Sequence, residues 1–586
     1  MTRRITAAAL ALATTAAAFA VPATGVRAQQ ADLVLTNGLV RTANAAQPSA
    51  EAVAVLDGRI SFVGSAVEAE RLIGMGTTVV DLGGRVVMPG LIDSHGHVGD
   101  LGTFLRNVDL FGTASEQEAV DRMVERASEA AGEGWLLGRG WDQNEWGVTA
   151  FPTKATLDGA IPDRPVSLER VDGHALWVNQ AALDAAGIGR DTPDPAGGRI
   201  VRDETGEATG VLIDNAMDLV LDAAPPLTEA ELREGVRLAQ QELNRFGITA
   251  AVDAGAKRGE LEAMEAMAVE GELTFRNFAM VFGADRDLLA DWLERGPSGW
   301  IDEGHTLRVD AIKISADGAL GSRGAALLAG YSDEPDNEGL LLLEPDTLRR
   351  IADDAAEAGF QFNVHAIGDR ANRIALDVFE ETLERHQLTD HRWRIEHAQI
   401  VARQDLPRFA ELGVIPAMQA IHQSSDMAWV TDRLGYSRSL GAYAWRTLLD
   451  DGMTIPGGSD FPVESADPRR SLYAAVTRQN DDGWPAGGWF PAERMTRRES
   501  FLSMTLWGAY STFAEDEIGS VEVGKWADLV VVGDDYMTMP EDEILELPIV
   551  MTMLAGEVVY AADDAPIPTA LVNTLMNSPG STGGAR

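Results

Sequence analysis

The sequence predicts an α/β protein: a (β/α)8 TIM-type barrel inserted into a small β-sandwich that both chain ends build. Three observations predict it. Eight short apolar strands lie between residues 86 and 464, most of them separated by helical patterns. Short β segments with turn dipeptides flank this body at both ends, and each half is small for a core of its own. Polar residues gather where the eight strands end, which is where such a barrel carries its site.

The elements follow in chain order. Met1-Thr2-Arg3-Arg4 is a basic start, Ile5 to Val21 is apolar and alanine-rich, and Val26-Arg27-Ala28 reads as a cleavage site. Residues 1–28 are therefore expected to be a secretory signal peptide, with a mature chain from Gln29 and a periplasmic or secreted destination. Arg3-Arg4 hints at the twin-arginine route. No later apolar run is long enough to span a bilayer, so no membrane anchor is expected in the mature chain. Residues 29–87 and 515–563 are assigned to the composite sandwich. Asn37-Gly38 and Asp57-Gly58 read as hairpin turns of an antiparallel sheet. The barrel is assigned to 88–514, with a substrate-shaping insertion at 98–247 and a C-terminal tail at 564–586.

Within the barrel the first strand, Val86 to Ile92, runs into Asp93-Ser94-His95-Gly96-His97. A helical pattern at Ala114 to Ala131 opens the insertion, and Thr228 N-caps a helix over Glu229 to Phe246. The remaining strands are expected at 248–255, 274–283, 307–318, 360–371, 393–401, 413–420 and 453–464. Helices are expected at Asp346 to Ala358, Asn372 to His386 and Arg498 to Ala509.

Composition narrows the chemistry. The 586 residues include no cysteine, which excludes disulfides, thiolate metal sites and cysteine nucleophiles. A formal net charge of −43 argues against nucleic acid and anionic membranes as partners. A small-molecule substrate is the expected partner. A homo-oligomer stays open, since no helix or sheet edge announces an interface.

His95 and His97 share a strand face, with Gly96 between them leaving room for a ligand. Four of nine histidines fall at strand ends: His95, His97, His365 and His397. Lys313 and Asp460 stand at two further ends. A bare ammonium facing a barrel interior is costly. Lys313 either salt-bridges a neighbour such as Asp310 or Asp317, or has reacted with carbon dioxide to give a carbamate that bridges two cations. Beside four histidines and Asp460, the bridge is the better reading.

Together these motifs resemble the amidohydrolase superfamily, in the amidohydrolase-3 branch that includes N-substituted formamide deformylase and YtcJ-like proteins. The resemblance runs through MPGLIDSHGH, GRGWDQNEW, VDGHALWVN, IKISADGALGSRGAAL, FNVHAIGDRA, RIEHAQ, MQAIHQSSDM, GSDFPVE and GSVEVGKWADLVVV, in that order. It implies that His95, His97 and Asp460 hold one metal and that His365 and His397 hold a second, with carboxylated Lys313 as the bridge. Zinc is the default for such ligands, as one or two ions, although iron or manganese would fit. The implied reaction is attack of metal-bound hydroxide on a carbonyl, with Asp460 moving the proton to a leaving nitrogen. An N-acyl or N-formyl amine is the leading substrate class; a cyclic amide, a dipeptide-like amide or a lactone or ester is the runner-up. A catalytically silent binding protein is the alternative of another class, and the intact set of six residues argues against it. Trp141, Asp142, Gln143, His174, Ser322, Arg323, His422 and Asp426 are candidate substrate contacts, each weighed against a loop-stabilising role.

Overall fold

The computed structural model describes residues 30–129, 134–143, 146–147, 150–170, 175–195 and 198–567. The expected signal peptide, His174 and most of the tail lie outside the described residues. Among the described residues no helix is long and apolar enough to cross a membrane.

The centre of the fold is a nearly closed parallel barrel of seven strands. They are β1 (Leu91–Gly96), β2 (Ile248–Ala256), β3 (Arg276–Phe282), β4 (Leu307–Ser315), β5 (Gln361–Ala366), β6 (Arg394–His397) and β7 (Ile415–Ala417). They pair in chain order, from β1 beside β2 to β6 beside β7. Helices such as Glu229–Arg245, Pro345–Ala358 and Asp369–His386 bury one apolar face each against the strands. Thr228 caps the first of these: its hydroxyl accepts from Glu231 N, and the Glu231 side chain reaches back to the Thr228 N–H.

The expected eighth strand departs from regular structure. Residues 453–460 fill the gap between β7 and β1 but form only an isolated parallel bridge, Met418 to Gly457. Met418 N donates to Pro456 O at 3.2 Å, and Ser94 N donates to Gly457 O at 2.9 Å. Pro456 has no N–H to give, and Gly457 N turns to Ser503 O at 3.0 Å, so no ladder can form. The same diversion breaks the expected helix at Arg498 to Ala509 into Arg497–Ser503 and Leu506–Ser511. At the break, Met504 O accepts the Ile92 N–H at 2.8 Å. The carbonyls freed by the break satisfy the barrel's last joint.

Both chain ends meet in two small sheets. A four-stranded sheet is built from residues 33–36, 52–56, 59–64 and 78–81. A six-stranded sheet joins residues 39–41, 49–50 and 86–89 to 529–532, 549–554 and 557–561. One apolar core, with Leu35, Val53, Val80, Val87, Leu529, Val531 and Met551, lies between them. Two of the pairings are parallel, 33–36 with 78–81 and 39–41 with 86–89, where an antiparallel sheet was expected. Asp57-Gly58 does turn a hairpin, with φ of 51° and 73°. Asn37-Gly38 instead carries the chain from one sheet to the other, since the strands on either side of it do not pair. Inside the insertion, six strands form a separate mixed sheet with a core that includes Trp141 and Trp177.

A buried ion pair ties the barrel to the end sheets. Arg276 on β3 donates to both carboxylate oxygens of Asp528, at 2.6 and 2.9 Å, and both side chains are almost fully buried. Removing one member leaves the other charge without its partner. Asp528→Ala is therefore expected to cost about 3–5 kcal/mol, read as a lowered denaturation midpoint in urea. A midpoint equal to the parent's would show that the pair does not hold the two parts together.

Candidate metal centre

Five of the six expected ligands belong to residues at or near the C-terminal ends of the parallel strands, and the sixth, Asp460, ends the closing segment. His95 lies near the end of β1, and His97 is the N-cap of the helix Val98–Arg106. Both reach Asp460 Oδ1 through Nε2, at 3.5 Å from His95 and 3.0 Å from His97. The His95 and His397 rings stand 4.7 Å apart, and those of His365 and His397 4.5 Å apart. Gly96 serves a purpose other than the expected one. A Cβ there would lie 2.2 Å from the Phe461 ring, so the space beside Gly96 is filled by Phe461 rather than left for a ligand.

The closing segment is locked onto β1 by Asp93. Its carboxylate accepts the His95 N–H at 3.1 Å, the Ser459 N–H at 3.1 Å and the Ser459 hydroxyl at 2.7 Å. Asp460 N donates to His95 O at 2.7 Å. Burial pushes the Asp93 carboxyl up to about 7, against these hydrogen bonds. For Asp460 burial also pulls upward, but the surrounding His95, His97 and His422 prevail and hold its carboxyl below the usual range.

The sequence reading missed Glu396. It is fully buried on β6, and its Oε2 accepts from His95 Nδ1. Arg394, also buried, grips both of its oxygens, at 2.9 and 2.7 Å. The signal was present in RIEHAQ: Arg394 and Glu396 are two apart on a strand and share its inward face. The Lys313 backbone is paired, its carbonyl accepting the Gly283 N–H, but its ammonium makes no hydrogen bond or ion pair with any described residue. Asp310 pairs with Arg308, and Asp317 accepts the backbone N–H groups of Ala326, Ile367 and Gly368, so neither takes the lysine. Burial lowers the Lys313 pKa, while Glu396 and Asp460 oppose that shift.

The donor set suits a divalent cation. Buried Nε2 atoms of His95, His365 and His422, and Oδ1 of Asp460, have no hydrogen-bond partner among the described residues. Coordinating atoms of His95, His97 and Asp460 lie within 4.8 Å of one another, as do those of His397, His422 and Asp460. Burial keeps His95, His365 and His397 neutral, which metal binding requires. His365 is pushed down to about 3, and His95 and His397 well below their ordinary value, with the Lys313 charge adding to the effect. Ring orientation agrees. His95 Nδ1 donates to Glu396, and His397 Nδ1 donates to Gln419 Oε1 at 2.8 Å, so each presents an Nε2 lone pair.

The expected substrate contacts divide. His422, on the helix Ala420–Asp426, comes into the cluster, 3.7 Å from Asp460 Oδ2. Trp141 is fully buried in the insertion's own core, its indole N–H donating to Leu168 O at 2.8 Å. Asp142 and Gln143 both take hydrogen bonds from Arg170. Ser322 donates to Ala319 O at 3.2 Å within its own loop. Arg323 pairs with Asp333 at 2.9 Å, so its guanidinium is occupied by a loop carboxylate. Asp426 accepts from the Tyr443 hydroxyl.

A parallel barrel with histidines, a lysine and an aspartate converging at one end, and with lone pairs left bare in a buried space, defines a metal-dependent hydrolase. The chain belongs to the amidohydrolase family, whose profile matches residues 78–560, in the amidohydrolase-3 branch. It is 34% identical to YtcJ of Bacillus subtilis over 518 residues, covering 87% of this chain and 96% of that one. It is 28% identical to the N-substituted formamide deformylase of Arthrobacter pascens over 544 residues, 91% of this chain and 99% of the relative. A solved metal-dependent hydrolase from Pyrococcus horikoshii OT3 superposes with a TM-score of 0.73 at 28% identity, over 87% of this chain and 99% of that one. The protein is thus a hydrolase acting on carbon–nitrogen bonds.

Glu396 orients His95, and partners of this kind typically change metal affinity about 10–100-fold when lost. Glu396→Gln is expected to weaken metal binding by that factor while the far-ultraviolet circular dichroism stays the same. Competition with a chelator measures it; parental affinity in the variant would remove Glu396 from the site.

Proposed function

We propose that the protein hydrolyses a non-peptide amide of the N-acyl or N-formyl amine type, releasing a carboxylic acid and an amine. The observation that carries this reading is the cluster of bare, buried imidazole nitrogens around Asp460. His95, His97 and Asp460 would hold one divalent ion, and His365 and His397 a second, with Lys313 between them as its carbamate. Zinc is the proposed metal. A bound ion supplies a Lewis acid for the carbonyl and a water acidic enough to react near neutral pH.

The chain's own residues supply the rest. Asp460 stays ionised beside three imidazoles, so it can accept the proton of the attacking water. It then gives that proton to the amine nitrogen, which leaves poorly without it. The carbon–nitrogen bond breaks as the acid's new carbon–oxygen bond is kept. Burial of His95, Lys313, His397, His422 and Asp460 limits competing solvent and strengthens the charge interactions among them. Lys313 lies in a setting that disfavours its ammonium form, and only the neutral amine attacks carbon dioxide.

The wider layout is proposed on the same footing. Residues 453–460 would be the eighth stave of a (β/α)8 barrel, and the two end sheets would be a sandwich into which that barrel is inserted. The insertion at 98–247 would shape the cleft for a small-molecule substrate, and residues 1–28 would direct the chain to the periplasm or outside.

Two measurements test the chemistry. In a screen of N-acyl amines, formamides, cyclic imides and lactones, Asp460→Asn is expected to lose about 10²–10⁴-fold in turnover while remaining folded, and near-parental activity would reject its role. Removing metal with a chelator should abolish activity and zinc should restore it. Separately, protein exchanged with ¹³C-bicarbonate is expected to show a carbamate carbonyl resonance that Lys313→Met lacks. The same spectrum from both proteins would leave Lys313 uncarboxylated.

A further inference from the structure

His422 is one of three residues, with His397 and Asp460, whose atoms lie close enough to share a cation. Its hydrogen bonds give it a different task. A histidine that binds metal must present a lone pair; a histidine that binds an oxygen must present a proton. Which of these faces the site is set by the nitrogen on the far side of the ring. For His95 and His397 the far nitrogen meets an acceptor, the Glu396 carboxylate or Gln419 Oε1. Gln419 is itself oriented, because its Nε2 donates to Ala417 O at 3.3 Å.

The far nitrogen of His422 meets a donor. Gln399 Nε2 stands 3.4 Å from His422 Nδ1 and 3.5 Å from Asp426 Oδ2. A carboxylate can only accept here, so the amide nitrogen of Gln399, not its oxygen, faces Asp426. The same NH₂ has a second proton, and it points to His422 Nδ1. Tyr443 donates its hydroxyl to the same Asp426 oxygen, and Tyr443 N donates to Gln399 O at 2.8 Å, which fixes the Gln399 backbone. With Nδ1 accepting, a neutral His422 carries its proton on Nε2. That Nε2 is buried and without a partner among the described residues, and it lies 3.7 Å from Asp460 Oδ2, too far for a hydrogen bond.

We propose that His422 is a catalytic hydrogen-bond donor to the substrate's carbonyl oxygen, held in the Nε2–H form by Gln399 and Asp426, and not a metal ligand. This rests on the reading of the site as one that attacks an amide carbonyl. It deepens that reading by separating the histidines into lone-pair donors on one side and a proton donor on the other. A preorganised N–H of this kind favours the charge that grows on the carbonyl oxygen in the transition state. It requires no reorganisation, because the network behind the ring is complete before substrate arrives.

The test uses the full-length protein loaded with cobalt(II), with methylphosphonate as a tetrahedral oxyanion probe. His422→Ala and His422→Gln are expected to bind the parental amount of cobalt with the parental visible spectrum. Methylphosphonate should bind about 10–100-fold more weakly to His422→Ala, and His422→Gln, whose amide can still donate, should fall between. Loss of cobalt or a changed ligand-field spectrum in the folded variants would make His422 a ligand and overturn the proposal. Unchanged phosphonate affinity would overturn it as well, and so would a parental protein that does not bind the probe. If His422→Ala does not fold, the His422→Gln spectrum and affinity decide alone. The amide screen is read separately: a parental protein that hydrolyses none of its compounds rejects the amide reading, while the cobalt and phosphonate results still decide the task of His422.

Discussion

The structure depends on the joint between β1 and the closing segment, which Asp93 makes. Its carboxylate binds two residues, His95 and Ser459, that are far apart in the chain and must be adjacent in space. A buried carboxylate is costly unless its lone pairs are used, and here the backbone and hydroxyl of Ser459 and the backbone of His95 use them. The segment cannot close the sheet by an ordinary ladder, because Pro456 offers no donor and Gly457 is drawn toward Ser503. Asp93 replaces the missing ladder bonds with side-chain bonds. Gly458 permits the approach, since a Cβ there would sit 2.6 Å from His95 N. The position of Asp460, and with it the proton transfer proposed for it, follows from this joint.

Charge balance around the joint explains why the centre holds so many buried polar groups. Arg394 and Glu396 neutralise each other by a two-point contact with both side chains out of solvent. What remains are the imidazoles of His95, His365 and His397, kept neutral by burial, with ring centroids 4.5–4.7 Å apart, most with a nitrogen that has no hydrogen-bond partner among the described residues. Lone pairs crowded in this way repel one another, and burial denies them water. A cation converts that repulsion into binding. The arrangement is therefore unfavourable for a fold that keeps the space empty and favourable for one that fills it with metal.

Much of this was legible in the sequence because strands announce themselves by alternation and because histidine is scarce. Six of the seven regular strands fall where apolar runs predicted them; the first is shifted, because residues 86–89 of the run Val86 to Ile92 pair in an end sheet and the barrel strand is Leu91–Gly96. The HxH, Lys313, His365 and His397 stand at or near strand ends, and Asp460 ends the closing segment. What could not be read has physical causes. The segment at 453–464 has a strand's composition, yet its pairing is decided by a proline and by carbonyls from a helix more than forty residues later. Trp141 sits in the run GRGWDQNEW, and its burial is set by stacking against Trp146 and an edge-on contact with Trp177, a tertiary fact. Arg323 looked free to bind an anion until the loop brought Asp333 to it. Glu396 was readable in principle, but an acidic residue beside a histidine ligand draws attention only when its partner, two residues earlier, is seen on the same face.

Two of the residues that the chemistry singles out, His397 and Asp460, also carry backbone strain. His397 has a φ of 72°, Ala398 43° and Asp460 64°, all in the left-handed region that side chains disfavour. Each such residue costs of order 1–3 kcal/mol, and the cost persists only where surrounding contacts impose it. For Asp460 the imposing contacts are visible: its N–H donates to His95 O, while its side chain must turn back toward His95 and His97. For His397 the left-handed turn ends β6 and swings the ring between His95 and His365. A relaxed backbone at either position would be more stable and would separate the donors. The fold accepts a local loss so that groups from opposite sides of the barrel converge on one point.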